Sequence, residues 1–151
     1  MSDHPALTRR DVLRTGTTVT IAGVGVALLA GCGGGGADTG KAAPAPTLTD
    51  AAATQVAAAI TAKEVPVGKA KILTDAGVIL AQPSEGSYVV YSDVCPHAGG
   101  KITKISSRGN LTCPLHGSEF DPASGDVKVG PANTGLKPGK VKVDGGKASI
   151  A

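Results

Sequence analysis

The fold of this chain is inferred from two short stretches, Cys95-Pro96-His97-Ala98-Gly99-Gly100 and Cys113-Pro114-Leu115-His116-Gly117-Ser118. Each stretch offers one thiol and one imidazole. Residues 98–112, fifteen in number, separate the first histidine from the second cysteine, about the length of a β-hairpin. A hairpin would bring the two stretches, named loop one and loop two, face to face. The candidate metal ligands are therefore Cys95, His97, Cys113 and His116.

This donor set suits a binuclear iron–sulfur cluster with mixed ligands. Two thiolates hold one iron and two imidazoles hold the other, and neutral imidazole raises the reduction potential because it places less negative charge on the iron. Gly99, Gly100 and Gly117 are expected to let the backbone approach the sulfides and donate N–H groups to them. Two alternatives stay open, a Cys95–Cys113 disulfide and a zinc site. The disulfide leaves both histidines unexplained, and zinc sites usually group cysteines two to four residues apart.

Both loops resemble the two boxes of the Rieske iron–sulfur proteins, C-x-H-x-G-[CG] and C-P-x-H-G-[SG]. The resemblance covers about residues 60–151, and Gly130-Pro131-Ala132 looks like the proline loop that shields the cluster in that family. It implies a small, antiparallel β domain with a two-loop cluster-binding subdomain. It also implies one [2Fe–2S] cluster per subunit, with the two histidines at the tip of the molecule, exposed to the redox partner.

Two features depart from the quinol-oxidising, cytochrome bc-type members of that family. The cysteines of their loop disulfide would fall at Gly100 and Leu115, so this bridge cannot form here. Their tyrosine that bonds a ligand sulfur is replaced by Phe120, whereas Ser118, expected to donate to a bridging sulfide, is kept. Losing one of two side-chain donors is expected to lower the reduction potential.

Short apolar runs between turn signals predict an all-β fold for residues 60–151. The last predicted hairpin is the clearest, because Val141 and Val143 alternate with lysines and Gly145-Gly146 can take the positive φ of a tight turn. The 22 glycines and 10 prolines agree with turns rather than long helices. The predicted strands are Lys69–Leu73, Val78–Gln82, Ser87–Ser92, Lys101–Ile105, Leu111–Thr112, Asp126–Val129, Lys140–Asp144 and Lys147–Ile150.

Residues 1–31 have the form of an export signal peptide. Arg9-Arg10 is a twin-arginine pair, and the uncharged residues 15–31 lead into Leu29-Ala30-Gly31-Cys32, which resembles the lipobox of bacterial lipoproteins. Cys32 is therefore expected to carry lipid after residues 1–31 are removed. An uncleaved membrane anchor and a soluble secreted protein are the alternatives. Each of the three places the rest of the chain outside the cytoplasm.

Residues 32–59 are expected to form a flexible Gly/Ala/Pro linker that starts at the lipidated cysteine. They show no hydrophobic period and few bulky side chains, so they offer no core. Ala51–Ala59 can form a transient helix, because alanine has the highest helix propensity. The predicted domains are thus the signal at 1–31, the linker at 32–59 and the cluster domain at 60–151.

The function expected from these features is a membrane-tethered one-electron carrier on the extracytoplasmic face of the cell membrane. Its partners would be a redox protein or a membrane quinol or oxidase complex. The small number of aromatic side chains, three, and the net charge of only +3 argue against nucleic-acid binding. The sequence shows no nucleophile–base pair, so catalysis by the chain alone is not expected. The alternatives are a subunit of a larger complex, such as a cytochrome bc-type complex or a molybdenum oxidase, and a non-redox metal-binding lipoprotein.

Overall fold

Antiparallel β-sheet dominates residues 41–151, the part of the chain that the computed structural model describes. The elements are α1 (Asp50–Thr61), β1 (Ala70–Leu73), β2 (Val78–Ser84), β3 (Ser87–Ser92), β4 (Lys104–Ile105), β5 (Leu111–Thr112), β6 (Glu119–Phe120), β7 (Val127–Val129), β8 (Gly139–Asp144) and β9 (Lys147–Ile150). Strands β1, β2, β3, β8 and β9 form a five-stranded sheet in that order, and β4 to β7 form a four-stranded sheet. The predicted small antiparallel β fold is confirmed, with one helix added.

The predictions for the signal peptide, for Arg9 and Arg10 and for lipidation at Cys32 lie outside the described residues. Between residues 41 and 151, no helix has both the length and the apolar character needed to cross a membrane.

Most predicted strands agree with the structure to within two residues. The fourth is an exception, because Lys101 makes only an isolated bridge to Val94 and the strand proper is β4. Strand β6 was missed, since two residues directly after loop two are too few to show a period. The β8–β9 hairpin is confirmed, with φ of +53° and +77° at Gly145 and Gly146.

The central strands β2 and β3 bury side chains on both faces of their sheet. Successive side chains of a strand point to opposite faces, so alternate positions enter different cores. The site-side core lies toward the four-stranded sheet and includes Ile79, Ala81, Val89, Tyr91, Leu111 and Phe120. The helix-side core includes Val56, Ala57, Val78, Leu80, Val90 and Ala148. The five-stranded sheet is therefore the middle layer between α1 and the four-stranded sheet.

Helix α1 occupies the segment that was predicted to be linker. Thr49 caps its first turn, with the side-chain oxygen accepting the N–H of Ala52 at 3.3 Å. Val56 and Ala52 are fully buried where the helix packs on the sheet. The prediction of a flexible linker up to residue 59 and a domain starting at residue 60 is wrong for this segment. Alanines make a weak hydrophobic stripe, yet their small side chains let a helix lie close to a sheet.

The turn between β6 and β7 is held to the sheet beneath it by Tyr91. The Tyr91 hydroxyl donates to the carbonyl of Ala123 at 3.0 Å. Burial, and then the nearby carboxylates of Asp121 and Asp126, raise the pKa of Tyr91 to about 12, so the hydroxyl remains a donor at neutral pH. Asp121 shapes the turn by accepting the N–H groups of Ala123 and Ser124 at 2.8 and 3.1 Å.

Gly125 ends this turn at a point where the chain has no room for a side chain. Its φ is +81°, and a Cβ there would lie 2.5 Å from the carbonyl oxygen of Leu136 and 2.9 Å from Cε1 of Tyr91. Gly125→Ala is expected to lower the free energy of unfolding by about 2–4 kcal/mol, from overpacking together with left-handed strain. Urea denaturation measures the loss.

Gly146→Ala is the matched control for this substitution. Gly146 also has a positive φ, +77°, but a Cβ there would meet no atom within 4 Å. In the control, the free energy of unfolding should fall by about 1 kcal/mol, because only the left-handed strain is added. Equal losses in the two variants would contradict the close packing at Gly125.

Candidate metal centre

Loop one and loop two are closed by the same hydrogen-bond pattern. In each loop the N–H of the first residue donates to the carbonyl of the sixth, and the N–H of the fifth donates to the carbonyl of the first. These distances are 2.7 and 2.9 Å in loop one and 2.9 and 2.9 Å in loop two. The fifth residue is Gly99 or Gly117, with φ of +75° and +77°, a region that favours glycine. The loops are two copies of one turn that differ in the position of the histidine.

The N–H groups of the loop glycines have acceptors within the loops. Gly99 and Gly117 donate to carbonyl oxygens of their own loops, and their donation to sulfides stays a prediction. The close approach to a ligand sulfur occurs at Gly100, where a Cβ would lie 3.3 Å from Sγ of Cys113. Glycine at position 100 therefore lets the backbone of loop one come near the thiol of loop two.

Strand pairing holds the two loops side by side. Loop one follows β3, and the bridge between Val94 and Lys101 closes its base. Strand β4 pairs antiparallel with β5, with Lys104 opposite Thr112, and loop two joins β5 to β6. Because loop one precedes β4 and loop two follows β5, both lie at the same end of the hairpin. The predicted juxtaposition of the loops is confirmed.

The four predicted ligands come together as two pairs. Cys95 and Cys113 are neighbouring free thiols and are only 1% and 2% exposed. The rings of His97 and His116 lie edge to face with their centroids 4.8 Å apart; the first is half-buried and the second exposed. Among residues 41–151, no three His, Cys, Asp or Glu side chains converge on a single metal ion. Two thiols inside and two imidazoles outside fit the donor set of a two-iron cluster with mixed ligands.

Burial governs the protonation of the Cys95 thiol. It raises the pKa of the Cys95 thiol, and the neighbouring Cys113 raises it further, while the N–H of His97 and the hydroxyl of Ser118 act in the opposite direction. Metal binding requires the thiolate, so binding at Cys95 releases its proton.

Ser118 connects loop two to the predicted proline loop. It is fully buried, and its oxygen accepts the N–H of Ala132 at 3.1 Å. The hydroxyl acts to lower the pKa of the Cys95 thiol against the larger effect of burial, and its bond to a bridging sulfide stays a prediction. Pro131, the residue before Ala132, is exposed. The segment Gly130–Ala132 is therefore fixed to the site through Ser118.

The two positions that would carry the loop disulfide are in contact. A Cβ on Gly100 would lie 3.1 Å from Cβ and 2.8 Å from Cδ2 of Leu115. Leu115 is 57% exposed and covers the backbone of loop one at that point. A non-covalent contact thus joins the loops where the bc-type members have a bridge. Phe120, at the position of the family tyrosine, is fully buried in the site-side core.

An ion pair that was not predicted from the sequence lies at the base of loop one. Asp93 is only 3% exposed, and Nζ of Lys101 lies 2.6 Å from its Oδ1. The Asp93 carbonyl also accepts the N–H of Ile102 at 2.7 Å. No motif signals this pairing, because the partners are eight residues apart and meet only after the loop has closed. Removing Lys101, whose side chain is exposed, would leave the buried carboxylate of Asp93 without its counter-charge.

Comparison with known proteins agrees with this geometry. Residues 55–140 match the family model of the Rieske [2Fe–2S] domain. Apoptosis-inducing factor 3 of Mus musculus is 32% identical over 75 residues, which cover 49% of this chain and 12% of that protein. A putative respiratory nitrate reductase subunit Rieske of Haloferax mediterranei is 44% identical over 43 residues, covering 28% of this chain and 19% of that protein. The chain thus matches less than a fifth of the length of these relatives.

Solved structures of Rieske proteins and ferredoxins are also similar. The plasma membrane Rieske protein PetC3 of Synechocystis aligns with a TM-score of 0.46 and 25% identity, over 62% of this chain and 92% of that chain. The ferredoxin of carbazole 1,9a-dioxygenase from Nocardioides aromaticivorans aligns with a TM-score of 0.42 and 22% identity, over 59% of this chain and 89% of that chain.

Proposed function

This chain belongs to the Rieske [2Fe–2S] family, an electron-carrier domain that binds a [2Fe–2S] cluster, and on that premise we propose that it is a membrane-tethered one-electron carrier outside the cytoplasm. We propose Cys95, His97, Cys113 and His116 as the cluster ligands. The observation that carries the proposal is the arrangement of the four donors in pairs, with the thiols buried and the imidazoles toward solvent. A cluster held this way has one insulated side and one side open to a partner.

When bound, the [2Fe–2S] cluster supplies a one-electron couple whose potential is raised by its imidazole ligands. The two cysteines would hold the inner iron and the two histidines the outer one. Burial of Cys95 and Cys113 keeps water away from the thiolates. His116 is exposed and provides the edge that a redox partner would contact. The matched turns of the two loops hold all four ligands in place without a covalent bridge.

The membrane tether is supported by the first 32 residues. Cys32 in the lipobox-like sequence would receive two or more acyl chains, enough for stable anchoring where one chain is marginal. Arg9-Arg10 would direct the chain to twin-arginine export, a route that carries folded cargo. Folded export suits a protein whose cluster is assembled in the cytoplasm and used outside it.

Processing at Cys32 is the prediction that tests the tether. In protein extracted from the cell membrane, the mature N-terminus is expected to be an acylated Cys32, with residues 1–31 absent. Intact-mass spectrometry of the membrane fraction measures this directly. A mature chain that still carries residues 19–29 would contradict lipidation and favour the uncleaved anchor.

Two variants control for anchoring and export. Cys32→Ser should lose the acyl mass and fail to give the mature lipidated form, while its cluster domain is unchanged. Replacing Arg9-Arg10 with Lys-Lys should leave the chain in the cytoplasm with its cluster loaded. Unaffected export of the Lys-Lys variant would refute the twin-arginine route.

Ser118→Ala is expected to lower the reduction potential. A hydroxyl bond to a ligand sulfur stabilises the more negative, reduced cluster, so losing about 1 kcal/mol of that stabilisation corresponds to about 40 mV for one electron. The N–H of Ala132 also loses its acceptor, which should lower the free energy of unfolding by about 1–3 kcal/mol. Protein-film voltammetry and urea denaturation measure the two effects.

The matched control is Ser124→Ala, because Ser124 is an exposed serine whose hydroxyl bonds Asp126 in the β6–β7 turn. Its potential should equal that of the unmodified chain. An unchanged potential in Ser118→Ala would show that this hydroxyl does not bond a cluster sulfur.

A second candidate function is an electron-transfer subunit of a larger respiratory or oxidising complex. The observation that favours it is the Haloferax mediterranei relative, which is described as a putative subunit of a respiratory nitrate reductase. Native-mass analysis of gently solubilised membranes separates the two candidates. A subunit would co-purify with a partner at a constant ratio, whereas a free carrier would migrate alone.

A further inference from the structure

We infer that residues 41–48 form a strap that docks on the domain beside loop one, and that this strap holds the cluster end close to the bilayer, so that the redox partner is a membrane-bound protein. The inference rests on the proposed lipid anchor at Cys32. It goes beyond that anchor because it states which end of the domain faces the membrane and which class of partner that end can reach.

The strap meets loop one at a cleft of about 160 Å³. One wall comes from the strap and the other from the residues around the first ligand cysteine. The wall residues are Lys41, Ala42 and Pro44 on the strap, and Val94, Pro96 and Gly99 on the domain. The start of the described chain therefore lies next to Cys95, at the end of the domain that carries the two loops.

Pro46 and Leu48 fasten the strap to the domain. Pro46 is buried, and its Cγ would lie 2.9 Å from a Cβ placed on Gly139 at the start of β8. Leu48 packs against the helix-side core, directly before the cap of α1 at Thr49. Both contacts are apolar, and both are made by residues that the sequence assigned to a free linker. The chain is thus attached to the domain from loop one to α1.

Docking of the strap halves the reach of the tether. From Cys32 to Lys41 there are nine residue steps, 41 minus 32, which span at most about 32 Å in any conformation. If the strap were detached, the domain would begin at Asp50, and eighteen steps would span up to about 65 Å. A shorter tether raises the effective concentration of the cluster end at the bilayer surface.

The position of the tether attachment selects the partner. Because the strap starts beside loop one, the tether leaves the domain at the same end as His97 and His116. Anchoring therefore draws the imidazole pair toward the bilayer rather than toward the bulk solution. A partner whose electron-transfer site lies at the membrane surface fits this orientation.

Relaxation of the cluster's own EPR signal measures the distance between the cluster and the bilayer surface. The lipidated full chain, with its cluster reduced, is placed on phosphatidylethanolamine–phosphatidylglycerol vesicles that contain a gadolinium-chelate lipid. We expect faster spin relaxation than on vesicles without gadolinium. The enhancement should be lost when about twenty Gly/Ser residues are inserted between Gly40 and Lys41, which lengthens the tether without touching the described residues. It should also be lost in a Pro46→Asp, Leu48→Asp variant.

Vesicle flotation separates the two possible failures. If the chain does not float with the vesicles, the lipid anchor is wrong and this inference falls with it. If the chain floats but shows no enhancement, or if the enhancement survives the insertion, the anchor stands and the strap is overturned. Enhancement in the unmodified chain that disappears on insertion and also in a double-aspartate variant that keeps its cluster supports the inference, whereas enhancement that survives in that variant overturns it.

Discussion

A Cys113→Ser chain should purify without the absorption and EPR signals of a [2Fe–2S] cluster. Cys113 is one of only two thiols at the site, and it is buried beside Cys95 with no other sulfur in reach among the described residues. A serine hydroxyl does not ionise at neutral pH and is a poor replacement for the thiolate ligand. The expected effect is complete loss of the cluster, because binding free energy depends on the full donor set.

Cys32→Ser is the matched control, since it makes the same replacement at the one cysteine of the chain that lies outside the two loops. It should keep both cluster signals and lose only the lipid. A normal EPR signal in Cys113→Ser would show that the assignment is wrong. Metal analysis adds an independent test, because stoichiometric zinc without sulfide in the unmodified chain would favour the non-redox alternative.

Val56→Asp is expected to cost roughly 3–5 kcal/mol of unfolding free energy, because it places an unpaired charge in a dry core. Val56 is fully buried between α1 and the five-stranded sheet. The loss is a large part of the 5–15 kcal/mol typical of a whole domain. Urea denaturation followed by circular dichroism measures it.

The neighbouring substitution Gln55→Asp serves as the control, because Gln55 lies on the exposed face of the same helix. It should change stability by less than about 0.5 kcal/mol. Similar stability in the two variants would mean that α1 is not part of the folded domain. That result would restore the sequence-based boundary at residue 60.

The candidate site was predictable because its donors are local in sequence. Each loop contains a cysteine, a histidine and a glycine within six residues, and the glycines take the positive φ that such a tight turn requires. A strand pair between the loops was also visible as a fifteen-residue separation. These features depend on neighbours along the chain, so residue type and spacing were enough to infer them.

The docking of the helix on the sheet was not predictable from the sequence of the helix, although the strands that it covers contain a signal. Val78–Ala81 is a continuous apolar run, and all four of its residues are buried. A strand with only one covered face would alternate, so such a run indicates that both faces are covered. Without the tertiary structure, nothing shows that the second covering layer is the alanine-rich segment before the domain.

The sequence by itself determined the all-β class, the β8–β9 hairpin and the four donors of the two loops. Tertiary structure alone decided the docking of α1, the path of residues 41–48 past loop one, the ion pair of Asp93 with Lys101 and the contact of Gly125 with Leu136. The physical reason is the range of the interactions. Turn geometry and ligand spacing are set within a few residues. Other interactions exist only when segments distant in sequence have packed together. They include the burial of small alanines, the charge pair beneath loop one and the backbone contact across the β6–β7 turn.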